Sequence, residues 1–280
     1  MLETRAMMPA RRAAVRAVER LGLSVDGTVL VQETNNTVIW FPPHAIIAKV
    51  RTEPGSGERL VREHAIASEL DKRGAPVAPP LPGATPVRDP ETGFVVTLWC
   101  RLDHDESGRA GEPAVGASLR NLHDALALCG VELPSFRVDL ERARRALSDE
   151  LPIAALAPAD RAFLKEAFDD LLLTLDDRAL TNRALHGEPH GGNLLITPVG
   201  LRWIDFESAC QGPLEWDLAF LSDGARSAFA DVDHDLLELL KTLNSARVAT
   251  WCWVQAHFRE MRWHGEYHLE RVRRRWPRHT

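Results

Sequence analysis

Lysine is almost missing from this chain of 280 residues. Of its 34 basic residues only Lys49, Lys72, Lys165 and Lys241 are lysines, and arginine supplies the rest. A lysine inside an apolar strand therefore calls for an explanation. Cysteine is scarce as well: Cys100, Cys129, Cys210 and Cys252 stand far apart with no C-x-x-C pair. That excludes a sequence-evident disulfide framework or zinc site and fits reduced thiols in the cytoplasm. No run approaches the roughly 18 apolar residues of a membrane span. The opening MLETRAMMPARRAAVRAVERLG is charged and helix-prone, without the apolar centre of a secretory leader. The net charge of −6 leaves no global footprint for nucleic acid. The basic cluster Arg271, Arg273, Arg274, Arg275 and Arg278 reads as a solvated end. Repeats and low-complexity tracts are absent. The expectation is a cytoplasmic monomer or weak homodimer with no nucleic-acid or membrane partner.

What is present divides in two. GTVLVQE (27–33), TVIWF (37–41), AIIAKV (45–50) and FVVTLWC (94–100) are short β-branched or apolar runs. Between the last two, GERLVREHAIASELDKRG (57–74) carries helical spacing and a glycine stop. The polar stretch RLDHDESGRAGE (101–112) marks a boundary, and helical patterns dominate beyond it. The expected architecture is α+β: a small β-rich N-lobe over 1–100 and a larger, mostly helical C-lobe over 101–280.

One stretch breaks the helical pattern. In ALHGEPHGGNLLITPVGLRWIDFES (184–208), Glu188 and Asn193 lie five positions apart, and Asp205 ends the next apolar strand. Phosphoryl transfer needs such groups: a carboxylate to accept or orient a hydroxyl proton, then a neutral and an anionic oxygen ligand for Mg2+. The spacing matches the protein-kinase pattern H-x-D-x-x-x-x-N followed by D-F. That pattern also demands a strand lysine paired with a glutamate on the following helix, and Lys49 and Glu63 are placed to meet it.

The chain resembles the aminoglycoside phosphotransferase/choline kinase-like family, small-molecule kinases with a two-lobed, protein-kinase-like fold. Its signature H-G-D-x-H-x-x-N, then I-D-[FW]-[DE], is met by His186, Gly187, His190, Asn193, Ile204, Asp205, Phe206 and Glu207. The resemblance implies ATP and Mg2+ as cofactors and a small-molecule hydroxyl as acceptor. It implies Lys49 on the phosphates, oriented by Glu63, with Asn193 and Asp205 holding the metal. It further implies adenine contacts around Leu98, Trp99 and Cys100, and a nucleotide loop, Glu33–Thr37, in which Asn35, Asn36 and Thr37 replace the usual glycines. Asp217 would brace the catalytic loop. The chain departs from the signature where the family's catalytic aspartate is Glu188, one methylene longer. A small misplacement near a reacting atom costs roughly 100-fold.

Other readings are weaker. His186-Gly187-Glu188 matches the H-x-E half of a zinc deaminase, but the P-C-x-x-C half is absent. A glycosidase pair of Glu188 and Asp205 leaves Lys49 and Asn193 without roles. His186 and His190 read as structural residues that hydrogen-bond the loop. The acceptor is expected to be an aminoglycoside or other antibiotic; the alternatives are an amino sugar or amino alcohol, or a nucleotide-binding protein impaired by Glu188.

Overall fold

The computed structural model describes residues 7–34, 36–52, 57–148, 153, 155–256 and 259–276. They pack as two compact units. One runs to Glu132 and takes back Pro189–Glu207; the other comprises Leu133–Glu188 and the chain from Ser208 onward. In chain order the first part holds helix α1 (Met7–Glu19), strands β1 (Val29–Glu33), β2 (Asn36–Trp40) and β3 (Ile46–Arg51), and helix α2 (Glu58–Lys72). Strands β4 (Val87–Arg88) and β5 (Val95–Cys100) and helix α3 (Glu112–Ala127) follow. Next come helices α4 (Arg137–Leu147) and α5 (Pro158–Asp176) and strands β6 (Arg183–Leu185), β7 (Leu194–Thr197), β8 (Gly200–Trp203) and β9 (Cys210–Gly212). Helices α6 (Leu214–Leu218), α7 (Asp223–Arg226), α8 (His234–Val254) and α9 (Arg259–Arg275) close the chain.

In the first unit the strands form one antiparallel sheet in the order β1-β2-β3-β5-β4. Helix α1 buries Ala10, Ala13, Ala14, Ala17 and Val18, a stripe of helical spacing, against Ile39, Ile46, Ala48, Val50, Val96 and Leu98. Side chains alternate along a strand, so with Ala48 and Val50 in this core, Lys49 and Arg51 project from the opposite face of β3. Helix α2 packs beside β5 and turns Leu60, Glu63, His64 and Ala67 inward. Three- and four-residue spacing thus puts one carboxylate on its apolar side.

The β7–β8 hairpin is sewn to the segment after α2. Trp203, fully buried, donates its backbone N–H to Pro76 O at 2.7 Å and accepts from Ala78 at 3.0 Å. Its indole N–H reaches Ser118 Oγ on α3 at 3.1 Å. In the second unit α4, α5, α8 and α9 surround Leu140, Leu164, Phe168, Leu240, Leu243 and Val272, while β6 pairs antiparallel with β9. Segments as short as β4, β6, β9 and α7 carry too little periodicity to be read from sequence. All four cysteines are free thiols, and no helix among the described residues is long and apolar enough to cross a membrane.

Arg16 ties α1 to the loop beyond β4. Its Nε and Nη2 each lie 2.8 Å from Asp89, whose Oδ2 also accepts from the Thr92 backbone and hydroxyl. The Arg16 bond, more than any other partner, holds the Asp89 carboxyl far below its usual range. A depressed folded-state value stabilises above the unfolded value, about 3.9, and that contribution is lost as pH falls. Asp89→Asn is expected to lower Tm by a few degrees at neutral pH and by much less near about pH 2; thermal unfolding at the two pH values checks this.

Candidate active site

The alternation of β3 and the inward face of α2 bring Lys49 and Glu63 together: Nζ lies 3.0 and 2.8 Å from the two Glu63 oxygens. The same ammonium lies 2.8 Å from Asp205 Oδ1 and 2.7 Å from Glu207 Oε1. Three carboxylates therefore occupy the three donors of one ammonium. Glu207 is held on its other side by Arg51 Nη1, 3.1 Å from Oε2, and by a short hydrogen bond from the Asn36 carboxamide to Oε1. Asp205 sits at φ 66°, left-handed backbone that a non-glycine residue adopts at a cost of about 1–3 kcal/mol. Such a conformation persists where surrounding contacts determine it.

Glu63, Asp205 and Glu207 each offer an oxygen, and these oxygens lie within 4.8 Å of one another. An all-oxygen, anionic donor set suits a hard divalent cation such as Mg2+ or Ca2+. Carboxylate oxygens this close together are the donors such an ion takes, so the residues fit the metal. In the sequence Glu207 shows only as the acidic position of I-D-F-E, with no role of its own evident there.

The second unit holds the segment that leaves β6. Asp217 at the start of α6, fully buried, accepts the backbone N–H groups of His186 at 2.9 Å and Gly187 at 2.8 Å. The His186 ring, also fully buried, accepts the Glu188 N–H through Nδ1 at 3.3 Å. Gly187 is required as glycine: φ is +86°, and a Cβ there would lie 1.8 Å from the Ser208 carbonyl oxygen. Glu188 emerges with its carboxylate 3.0 Å from Arg247 Nη2 on α8, a partner not singled out from sequence.

Other expected residues fall as follows. Asn193 is buried in a single 3₁₀ turn (191–193), and its carbonyl accepts from Ile204, the residue before Asp205. His190 caps that turn, its Nδ1 accepting from Gly192 at 3.1 Å. Asn35 lies outside the described residues. Asn36 and Thr37, expected in the nucleotide loop, belong instead to β2 and are buried. The reason is pairing with β3, Asn36 opposite Arg51 and Thr37 opposite Val50; the Asn36 carboxamide also donates to Glu207 and accepts from Arg51. Leu98, Trp99 and Cys100 lie on β5. Leu98 faces the core, its carbonyl accepting from Leu81 at 2.9 Å. The Cys100 N–H donates to Pro79 O at 3.1 Å, and the Trp99 indole donates to Thr97 at 2.9 Å.

Charge in the cluster is shared. Burial by itself would lower Lys49, but Asp205, Glu63 and Glu207 overturn that and hold the ammonium well above its ordinary value. Burial, reinforced by Asp205 and Glu207 against the pull of Lys49, pushes Glu63 up to about 8. A raised folded-state value gives stability that is fully present below the ordinary 4.5 and is lost as pH rises through about 8. Across that window Tm is expected to fall, and Glu63→Gln to flatten the fall. Thermal unfolding at intervals through the window measures both slopes.

No curated protein matches the chain by sequence. Among solved structures, choline kinase LicA from Streptococcus pneumoniae superposes with a TM-score of 0.69 at 16% identity, over 95% of this chain and 98% of that one. Amicoumacin kinase hAmiN, solved with AMP-PNP, Ca2+ and Ami, gives 0.70 at 13% identity, over 98% and 97%. Aminoglycoside 2'-phosphotransferase-IIIa, solved with GDP, gives 0.68 at 14% identity, over 97% and 99%. These likenesses establish the α+β, protein-kinase-like fold. Residues 20–251 match the family described as "Phosphotransferase enzyme family". With most of its length matched, the chain belongs to that family of small-molecule phosphotransferases acting on hydroxyl groups.

Proposed function

We propose that the protein transfers the γ-phosphoryl group of ATP, with Mg2+, to a hydroxyl of a small molecule. The observation that carries this reading is the oxygen set of Glu63, Asp205 and Glu207 gathered on the Lys49 ammonium. Lys49 holds the nucleotide phosphates, with Glu63 fixing its position; Asp205, Glu207 and Asn193 are the groups that would hold the metal. When bound, Mg2+ supplies charge neutralisation on the phosphates. Glu188 accepts or orients the proton of the attacking hydroxyl, on a loop held by Asp217 and the His186 ring. A proton acceptor fixed before the reaction has no reorganisation to undergo during it. Adenine contacts are assigned around 98–100, and the nucleotide-covering part to residues 1–100, with the acceptor part in 101–280.

The acceptor reading is an aminoglycoside or other antibiotic, or an amino alcohol or amino sugar. Proteins of the same fold bracket that range, since their names describe choline, aminoglycoside and amicoumacin kinases. Mg2+-dependent ATP binding by calorimetry, then ADP release over a panel of aminoglycosides, choline, ethanolamine and amino sugars, tests the proposal. Lys49→Ala and Asp205→Ala are each expected to lower kcat/KM roughly 100-fold or more while the proteins stay folded. A wild-type protein that binds no nucleotide in the presence of Mg2+ sinks the reading. Nucleotide binding without turnover on any acceptor points instead to a binding protein in which Glu188 has ended catalysis.

A further inference from the structure

Arg247 sits in the middle of α8, in the run LNSARVATW, with a side chain 7% exposed. A buried guanidinium is costly unless its donors are met and its charge is balanced. Its Nε donates to Asn244 Oδ1 at 3.1 Å, one turn back on the same helix. The rings of Trp216 and Phe220 lie 5.6 and 5.9 Å from its central carbon, within cation–π range. Those two rings meet edge to face, 6.1 Å apart. The fork is thus locked by a carboxamide and two aromatic rings, and Nη2 presents itself 3.0 Å from Glu188 Oε1.

Glutamate brings one more rotatable bond than aspartate and a carboxylate one methylene farther from the loop. The loop fixes its backbone, through the His186 ring on the Glu188 N–H. The carboxylate end is held from α8, by a guanidinium locked in place by Asn244, Trp216 and Phe220.

We propose that Arg247 is the positioning residue for Glu188, and that the pair stands in place of the shorter carboxylate expected at this site. The proposal rests on the reading of Glu188 as the group that receives or orients the hydroxyl proton. Two consequences separate it from a purely structural ion pair. Shortening the acid to aspartate withdraws the carboxylate from a guanidinium that cannot follow, so restoring the family residue lowers activity. Lysine at 247 keeps the charge but loses both the planar fork and its packing against the two rings, so it preserves the fold without restoring turnover.

The experiment follows ADP release from Mg2+–ATP with water as acceptor, and with any acceptor active in the panel. It compares Arg247→Met, Arg247→Lys, Glu188→Asp, Glu188→Gln and the Arg247→Met/Glu188→Asp double variant. Expected are a fall in kcat of about tenfold or more for both Arg247 variants, with KM for ATP within about twofold, since loss of orientation falls on the transition state. The double variant is expected to be no slower than Glu188→Asp alone, because the second substitution removes a contact already lost. Wild-type kcat in a folded Arg247→Met, or independent effects that multiply in the double variant, overturns the positioning role. If Arg247→Met does not fold, Arg247→Lys decides: full activity there overturns the proposal, and tenfold loss with Tm retained supports it. Wild-type turnover in Glu188→Gln, or no turnover by the wild-type protein even to water, overturns the reading of Glu188 itself and this proposal with it. Loss in Glu188→Gln with none in the Arg247 variants overturns this proposal alone.

Discussion

One ammonium ion surrounded by three carboxylates governs the first unit of this protein. Placing Lys49 on the inner face of β3 removes it from water, and an ion so placed is tolerable only when its donors are met and its charge is balanced. Glu63 meets that demand from α2, and Asp205 and Glu207 meet it from the chain that follows β8. Arg51 and the Asn36 carboxamide hold Glu207 in addition. Burial, with Asp205 and Glu207 beside it, pushes the Glu63 carboxyl up to about 8.

The second unit solves a different problem, the placement of a single carboxylate by backbone geometry. Asp217 gathers two consecutive N–H groups of the loop, and the His186 ring takes a third. A buried acid that receives two backbone donors has its polar demand met by the loop it holds. It thus shapes the loop from which Glu188 emerges.

Much of this was legible in the sequence because the relevant residues sit in strongly patterned elements. The β-branched alternation of β3 put Lys49 opposite the apolar residues, and the spacing of α2 brought Glu63 to the inner side. His186, Gly187, Asn193 and Asp205 stood out because polar residues crowd between two apolar strands. Asn36 was expected in a loop but opens β2, and nothing local reveals that a carboxylate 171 positions away engages its amide. Arg247 was invisible for the same reason: it lies 59 positions from Glu188, and in a chain where arginine is the usual cation one more attracts no notice. Patterns within a segment report which face is buried; partners between distant segments are decided by packing alone.

The close approach of Gly187 to Ser208 has a wider consequence. The chain departs from the second unit after Glu188 and re-enters it at Ser208. The backbone on either side of that excursion is pressed together so tightly that no side chain fits at 187. The excursion from 189 to 207, which carries Asn193, Asp205 and Glu207, is therefore a loop clasped at its neck. The entropy of bringing its ends together is met at the clasp. The acidic residues within it are then spared the work of closure, which the two touching backbone segments perform instead.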